Sequence, residues 1–225
     1  MTEVFKEQPG PAAAALAAER GLGDPVGTFA TKPGWINRKW REHRLHLYTG
    51  GLVVIGPDSP PVAYDWTHTR ALRYYRTVNG GLIDARYTLI GPDGSALNIG
   101  PGARPVPKKL QERLGITSLT RGAPFQYPGD WGDYLQSGIT RAQLPTAWSR
   151  VTGGETLNFG PFTVDRDGVT DRKRTLAWSA VSEVRTSNGF VKIDGHEKRE
   201  ISYLESAADV PNLLLFLNLC QQLKH

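Results

Sequence analysis

The segment Trp66-Thr67-His68-Thr69-Arg70-Ala71-Leu72-Arg73 is echoed later in the chain by Trp178-Ser179-Ala180-Val181-Ser182-Glu183-Val184-Arg185. In both, Trp is followed by a hydroxyl residue and then, at the same offsets, by an aliphatic residue and Arg. Each copy follows a short apolar run with a turn, Leu47-Tyr48-Thr49-Gly50-Gly51-Leu52 and Phe162-Thr163-Val164-Asp165-Arg166-Asp167-Gly168-Val169. Each precedes an Asn-Gly turn, Asn79-Gly80 and Asn188-Gly189. A shared order of strand, turn, strand, Trp segment and turn predicts one small β unit used twice.

The surrounding sequence fits that reading. A chain of 225 residues accommodates one large domain or two small ones. With 39% hydrophobic and 22% charged residues it has the balance of a soluble globular protein. Its 25 Gly and 16 Pro demand many turns, and its six Trp and eight Tyr can fill two small β cores. The net charge of +5 is mild and spread along the chain. It reads as a solubilising surface before it reads as a nucleic-acid footprint. The single Cys220 excludes an internal disulfide or a Cys-rich metal site. Its apolar neighbourhood predicts a buried structural thiol in a reducing compartment. No segment is long and apolar enough to span a bilayer. Ala12 to Ala18 is preceded by Glu3 and Glu7 and lacks the cationic lead of a signal peptide. A cytoplasmic location is expected, with a peripheral position at the inner membrane face as its variant.

Residues 1–34 read as a lead with a short Ala-rich helix ending near Gly21 or Gly23. Residues 35–153 form the first expected unit. Leu45 and Leu47 alternate on one strand face, and Val62, Tyr64 and Trp66 on another. Asn79-Gly80-Gly81 signals a hairpin, and Gly91-Pro92-Asp93-Gly94 a second one. Residues 100–130 read as a long surface excursion with a short helix from Pro107 to Leu114. From Trp131 the period becomes helical. Trp131, Tyr134, Leu135, Gly138, Ile139 and Ala142 share a face, with a kink or restart expected at Pro145. Residues 154–225 form the second unit, ending in a helix after Asp209-Val210-Pro211. Its apolar arc, which includes Leu213, Phe216, Leu217 and Cys220, is wider than packing on one core requires. Such an arc belongs to a helix buried deep in a small barrel mouth or, as the sharper alternative, to a helix with two contacts: its own sheet, and the other unit or another subunit.

A curved antiparallel sheet, a Gly turn before a Trp-bearing strand and one C-terminal helix resemble a pleckstrin-homology-like (PH-like) barrel. Gly168-Val169, with Leu176-Ala177-Trp178-Ser179-Ala180-Val181-Ser182-Glu183-Val184, resembles the strand pattern of bacterial PH-like domains. Gly154 to Val184, with Phe159-Gly160-Pro161-Phe162, looks more closely like an uncharacterised domain family common in actinobacteria. The resemblance implies an α+β fold, mainly antiparallel β: two tandem PH-like barrels, each closed by a C-terminal helix. It also implies a scaffold used for binding. Lipid-binding members use basic residues in the loop between the first two strands. Arg172, Lys173 and Arg174 lie near such a loop, whereas the first unit has Asp58, Ser59, Pro60 and Pro61 at the comparable place.

No nucleophile elbow, phosphate-cradling glycine loop, HExxH or paired-Cys motif is present. His43 and His46 would face opposite sides of a strand, which makes them poor joint ligands. Neither a catalytic residue nor a cofactor or metal ligand is expected. The segment around Trp35, Arg38, Lys39, Trp40, Arg41 and Arg44 is the best interaction candidate, because Trp can stack while Arg and Lys neutralise phosphate. Its plainer reading is a first barrel strand or its lead-in, with Trp35 and Trp40 largely buried and the Arg side chains solvated. The leading expectation is a non-enzymatic protein-interaction or assembly module with a protein partner or homo-oligomeric state. The alternative is peripheral binding of anionic membrane lipid or nucleic acid through the two basic clusters. A small-molecule or enzymatic site in a barrel mouth is the third.

Overall fold

A computed structural model describes residues 7–32, 35–57, 59–79, 81–102, 105–171, 174–196 and 203–224. The fold is α+β, with four sheets whose ladders are antiparallel except for one. Strands β1 (Pro25–Ala30), β2 (Arg44–Tyr48), β3 (Gly51–Gly56) and β4 (Ser59–Asp65) form the first sheet in chain order. Its inner face carries Leu45, Leu47, Leu52 and Val54 into a core with Phe29, Tyr64 and Trp66. Its outer face is buried too. Helix α1 (Pro11–Glu19) presses Ala13 and Ala17, one turn apart, onto Tyr48 and Val53. Burial on both faces explains why β3 reads Leu-Val-Val-Ile without alternation. Helix α1 and β1 both fall within residues 1–34, and both pack or pair with this sheet.

The second sheet has the order β5 (Arg70–Val78), β6 (Gly81–Ile90), β7 (Ser95–Ile99), β8 (Ser118–Arg121). Strand β8 runs parallel to β7. A parallel neighbour needs a crossover, and helix α2 (Lys108–Arg113) lies within it. The expected surface excursion is therefore part of the sheet. Leu110 and Leu114 cover the outer face at Leu72, Ile90 and Ala96.

Helix α3 (Pro128–Thr152) is continuous through Pro145, where a kink or restart was expected from the sequence. Its N-terminal half places Trp131, Leu135 and Ile139 in the first core, with Tyr134 and Ala142 at the edge. Its C-terminal half gives Ala147 and Val151 to the second core. One helix thus serves both.

The second core lies between the sheet β9 (Leu157–Phe159), β10 (Phe162–Val164), β11 (Gly168–Thr170), β12 (Thr175–Ala177) and the sheet β13 (Val181–Ser187), β14 (Phe190–Gly195), β15 (Tyr203–Ser206). Helix α4 (Leu213–Leu223) fills it with Leu215, Phe216, Leu219 and Cys220. A four-stranded sheet, a second sheet and a helix therefore follow one another twice. Among the described residues no ladder joins one sheet to another, so neither strand set closes into the hydrogen-bonded barrel expected from the resemblance.

The two Trp segments occupy the same local setting. Gly51 pairs with Asp65, and Gly168 with Ala177, the residue before each Trp. A Cβ on either glycine would run into the carbonyl oxygen two residues before the Trp, at Tyr64 or Leu176. Each Trp donates its backbone N–H to the turn preceding that glycine, Trp66 to Gly50 at 2.9 Å and Trp178 to Asp167 at 3.2 Å. Both rings are buried. Trp178 leads a short 3-10 turn where a strand was expected, and its indole N–H donates to Asp165 O at 2.9 Å.

Gly138 lies against the Trp66 indole, where a Cβ would come to 2.7 Å from Nε1. Gly129, on the same helix, has open space around it. Helix propensity alone favours Ala at both positions. The expected outcome in urea denaturation is that Gly129→Ala stabilises by up to about 1 kcal/mol. Gly138→Ala should destabilise by about 1–3 kcal/mol through overpacking.

Candidate functional site

The basic segment nominated by the sequence connects β1 to β2. Trp35–Trp40 forms 3-10 turns. Trp40 is half-buried against the first core, its carbonyl accepts the Thr31 hydroxyl at 3.0 Å, and its ring meets His43 edge-on at 4.8 Å. Lys39 Nζ lies 4.7 Å from the Trp40 ring centroid. Arg38, Lys39 and Arg41 are exposed. Arg44 is not part of that free charge, because its Nε donates to both Glu7 carboxylate oxygens at 2.9 Å. The Trp35 side chain lies outside the described residues.

The second basic cluster is placed differently from expectation. It sits between β11 and β12, the third and fourth strands of its set, and not between the first two. Arg172 and Lys173 lie outside the described residues. Arg174 receives a turn from Asp171, whose carboxylate accepts its backbone N–H at 3.0 Å, and its guanidinium lies over Tyr203.

The apolar arc of α4 is used within the chain. Phe216 stacks on Phe162 at 5.0 Å and tilts against Phe159 at 5.3 Å. Phe216 and Cys220 are fully buried, and Leu213 and Leu217 pack at the edge of the same core. The second contact of this helix is α3. Phe216 and Cys220 therefore offer no surface to another molecule. Burial pushes the Cys220 thiol well above its usual range, which makes it a poor nucleophile.

Two features had no nomination in the sequence. The first is the β5–β6 hairpin, whose end displays Val78, Leu82 and Ile83 at 50%, 45% and 48% exposure. Three aliphatic side chains half in water around one turn are not needed by any core. The second is a cleft of about 410 Å³ where α3, α4, β9 and the Trp66 segment meet. Its back wall is a hydrogen-bond network. Gln143 Nε2 donates to Trp66 O at 2.7 Å and Thr69 O at 2.9 Å, and Asn212 Nδ2 donates to Gln143 Oε1 at 3.0 Å. Arg70 reaches this cleft from the start of β5. The signal available in the sequence was the mismatch between the Trp copies, because Ser182 stands at the offset of Arg70.

Among the described residues no group of three or more His, Cys, Asp or Glu could hold a metal ion. His46 is buried beneath the N-terminal segment, with Nδ1 2.8 Å from Thr28 Oγ1. The Thr28 hydroxyl gives its proton to Glu7 O at 2.7 Å, so Nδ1 carries the imidazole proton and Nε2 is a buried bare acceptor. Burial lowers the His46 pKa from 6.5 to about 4, against the attraction of Glu7. A depressed folded-state value means that only the unfolded chain binds a proton between those limits. Stability from this group is complete above pH 6.5 and falls by about 3 kcal/mol as pH drops toward 4. In denaturation series across that window, His46→Leu should flatten the pH dependence by that amount.

Residues 120–225 match the model of a family described as "Family of unknown function (DUF6585)". The match begins at the end of β8 and takes in α3, the second strand set and α4, slightly less than half of the chain. No curated protein and no solved structure gives a match. This stretch of the chain is thus similar to an uncharacterised domain family, as the Gly154 to Val184 pattern led one to expect.

Proposed function

We propose that the chain is a non-enzymatic interaction module built from two PH-like units, and that its partner contact runs through the β5–β6 hairpin. The two-unit reading draws support from the recurring sheet–sheet–helix order and from the matched Gly51/Trp66 and Gly168/Trp178 settings. The exposed triad Val78, Leu82 and Ile83 carries the interaction reading. Clustered aliphatic residues in water mark contact surfaces more often than scattered ones. Strand β5 is also an edge of its sheet.

A second reading has its own observation. Arg38, Lys39 and Arg41 are exposed on the connection between β1 and β2, the first of its strand set, whereas Ser59, Pro60 and Pro61 open β4. The PH resemblance puts anion-binding residues on a first connection. Contact with anionic lipid or nucleic acid there would weaken steeply with salt.

Light scattering over a wide concentration range, paired with recovery of partners from native lysate, tests the lead. The protein should self-associate or retain a partner, and Leu82→Ser with Ile83→Ser should abolish that without loss of stability. A strict monomer with no recovered partner contradicts it. Binding to anionic vesicles or oligonucleotides that survives the hairpin substitutions, and fails in Arg38→Gln with Lys39→Gln and Arg41→Gln, would replace the lead with the second reading.

A further inference from the structure

The cleft behind Arg70 has the composition of a ligand site and lies apart from both surfaces considered above. Arg70 is half-buried, and burial holds its guanidinium below the usual range. Among the described residues it has neither a hydrogen-bond nor an ion-pair partner. Other arginines differ. Elsewhere in the fold Arg44, Arg76 and Arg185 each have a carboxylate within 3.0 Å, and the one other arginine among the described residues of the cleft wall, Arg150, is pinned by Glu155 at 2.8 Å. Among the described residues no Asp or Glu lines the cleft.

The rest of the lining sorts into two parts. Thr67, Thr146, Thr156 and Asn158 are exposed polar side chains around the opening. Asn158 accepts the Gly160 N–H at Oδ1, which leaves its amide N–H groups pointing elsewhere as donors. Leu157, Phe159 and Leu215 are buried and form an apolar floor. At about 410 Å³ the cleft falls in the size range of small-molecule sites. An apolar floor, a few exposed polar side chains and one guanidinium without a partner among the described residues favour a ligand with one planar or tetrahedral oxyanion and a small apolar body. Arg meets such groups through paired N–H donors.

We infer that the junction of the two strand sets binds a small amphipathic oxyanion, a carboxylate or a phosphate monoester, with Arg70 as its charge partner and Leu157, Phe159 and Leu215 against its apolar end. The site uses side chains from both halves of the chain: Arg70 from β5, Thr146 and Arg150 from α3, and Phe159 from β9. Arg70 stands where the second Trp copy has Ser182, so the site is made once and not repeated.

The test is titration of the full chain with benzoate, phenyl phosphate, inorganic phosphate and benzylamine, read by calorimetry and by amide shifts in two-dimensional NMR. Benzoate or phenyl phosphate should bind, with shifts at Thr67, Arg70, Thr146 and Asn158. Benzylamine should not bind. Inorganic phosphate should bind more weakly than phenyl phosphate, because it leaves the floor uncovered. Which aromatic anion binds more tightly separates a carboxylate site from a phosphate site. Arg70→Gln should lower affinity at least tenfold. Thr146→Phe, which fills the opening and leaves the charge in place, should do the same. Both variants should keep the wild-type amide pattern elsewhere. Equal affinity in wild type and Arg70→Gln would overturn the inference. So would equal binding of benzylamine, shifts that map outside the cleft, or no binding of either aromatic anion at millimolar concentration.

Discussion

Asn212 donates its backbone N–H to Ala71 O at 2.9 Å and accepts the Ala71 N–H at Oδ1 at 2.7 Å. Its Nδ2 reaches Thr69 O at 3.3 Å and Gln143 Oε1 at 3.0 Å. The residue is buried and left-handed, with φ of 50°. Asn tolerates that backbone better than most residues, and here its short amide also completes a rung of strand-like pairing. The groups it satisfies belong to the first half of the chain, while Asn212 itself begins the final helix. Leaving a buried backbone donor and several carbonyls without partners would cost about 1–3 kcal/mol each. The relative position of the halves is held by this polar joint and by α3, whose two ends sit in two cores.

That arrangement changes the meaning of the Trp segment. Trp66 is a core residue at its ring, as alternation along β4 suggested, but its carbonyl and that of Thr69 are the acceptors for Gln143. The first copy thus acts as a socket for α3 and α4. Trp178, by contrast, closes its indole hydrogen bond locally on Asp165. The copies also differ in cover. The first sheet pair is roofed on its outer faces by α1 and α2, whereas the second leaves Phe190 on its central strand β14 and Leu204 on its edge strand β15 exposed.

Local signals were legible where one residue type had one use. Asn79 and Asn188 both take positive φ at their turns, and the Trp131, Leu135 and Ile139 stripe faces the first core. Signals failed where the partner is distant or contrast is absent. Helix α1 is Ala on nearly every side, so no stripe announces that Ala13 and Ala17 are its buried face. Strand β8 pairs with β7 across a crossover, and nothing in Ser118 to Arg121 names that neighbour. Pro145 removes one backbone donor, yet the helix persists because the residues on both sides of it are packed. The width of the α4 arc left open a helix sunk in one core or a helix with two contacts, and sequence could not say that α3 of the same chain packs against it. Arg70 was visible as a mismatch between the copies, and its lack of a carboxylate partner is a fact of three dimensions only.

The central claim is that the Asn212–Ala71 joint makes the two halves one cooperative body. Native-state hydrogen exchange at the Ala71 and Asn212 amides tests it most directly. Both should exchange only through global unfolding, together with the core amides of Leu47 and Val191. Exchange of the two joint amides orders of magnitude faster, with the core amides still protected, would contradict it and describe two independent domains joined by a helix.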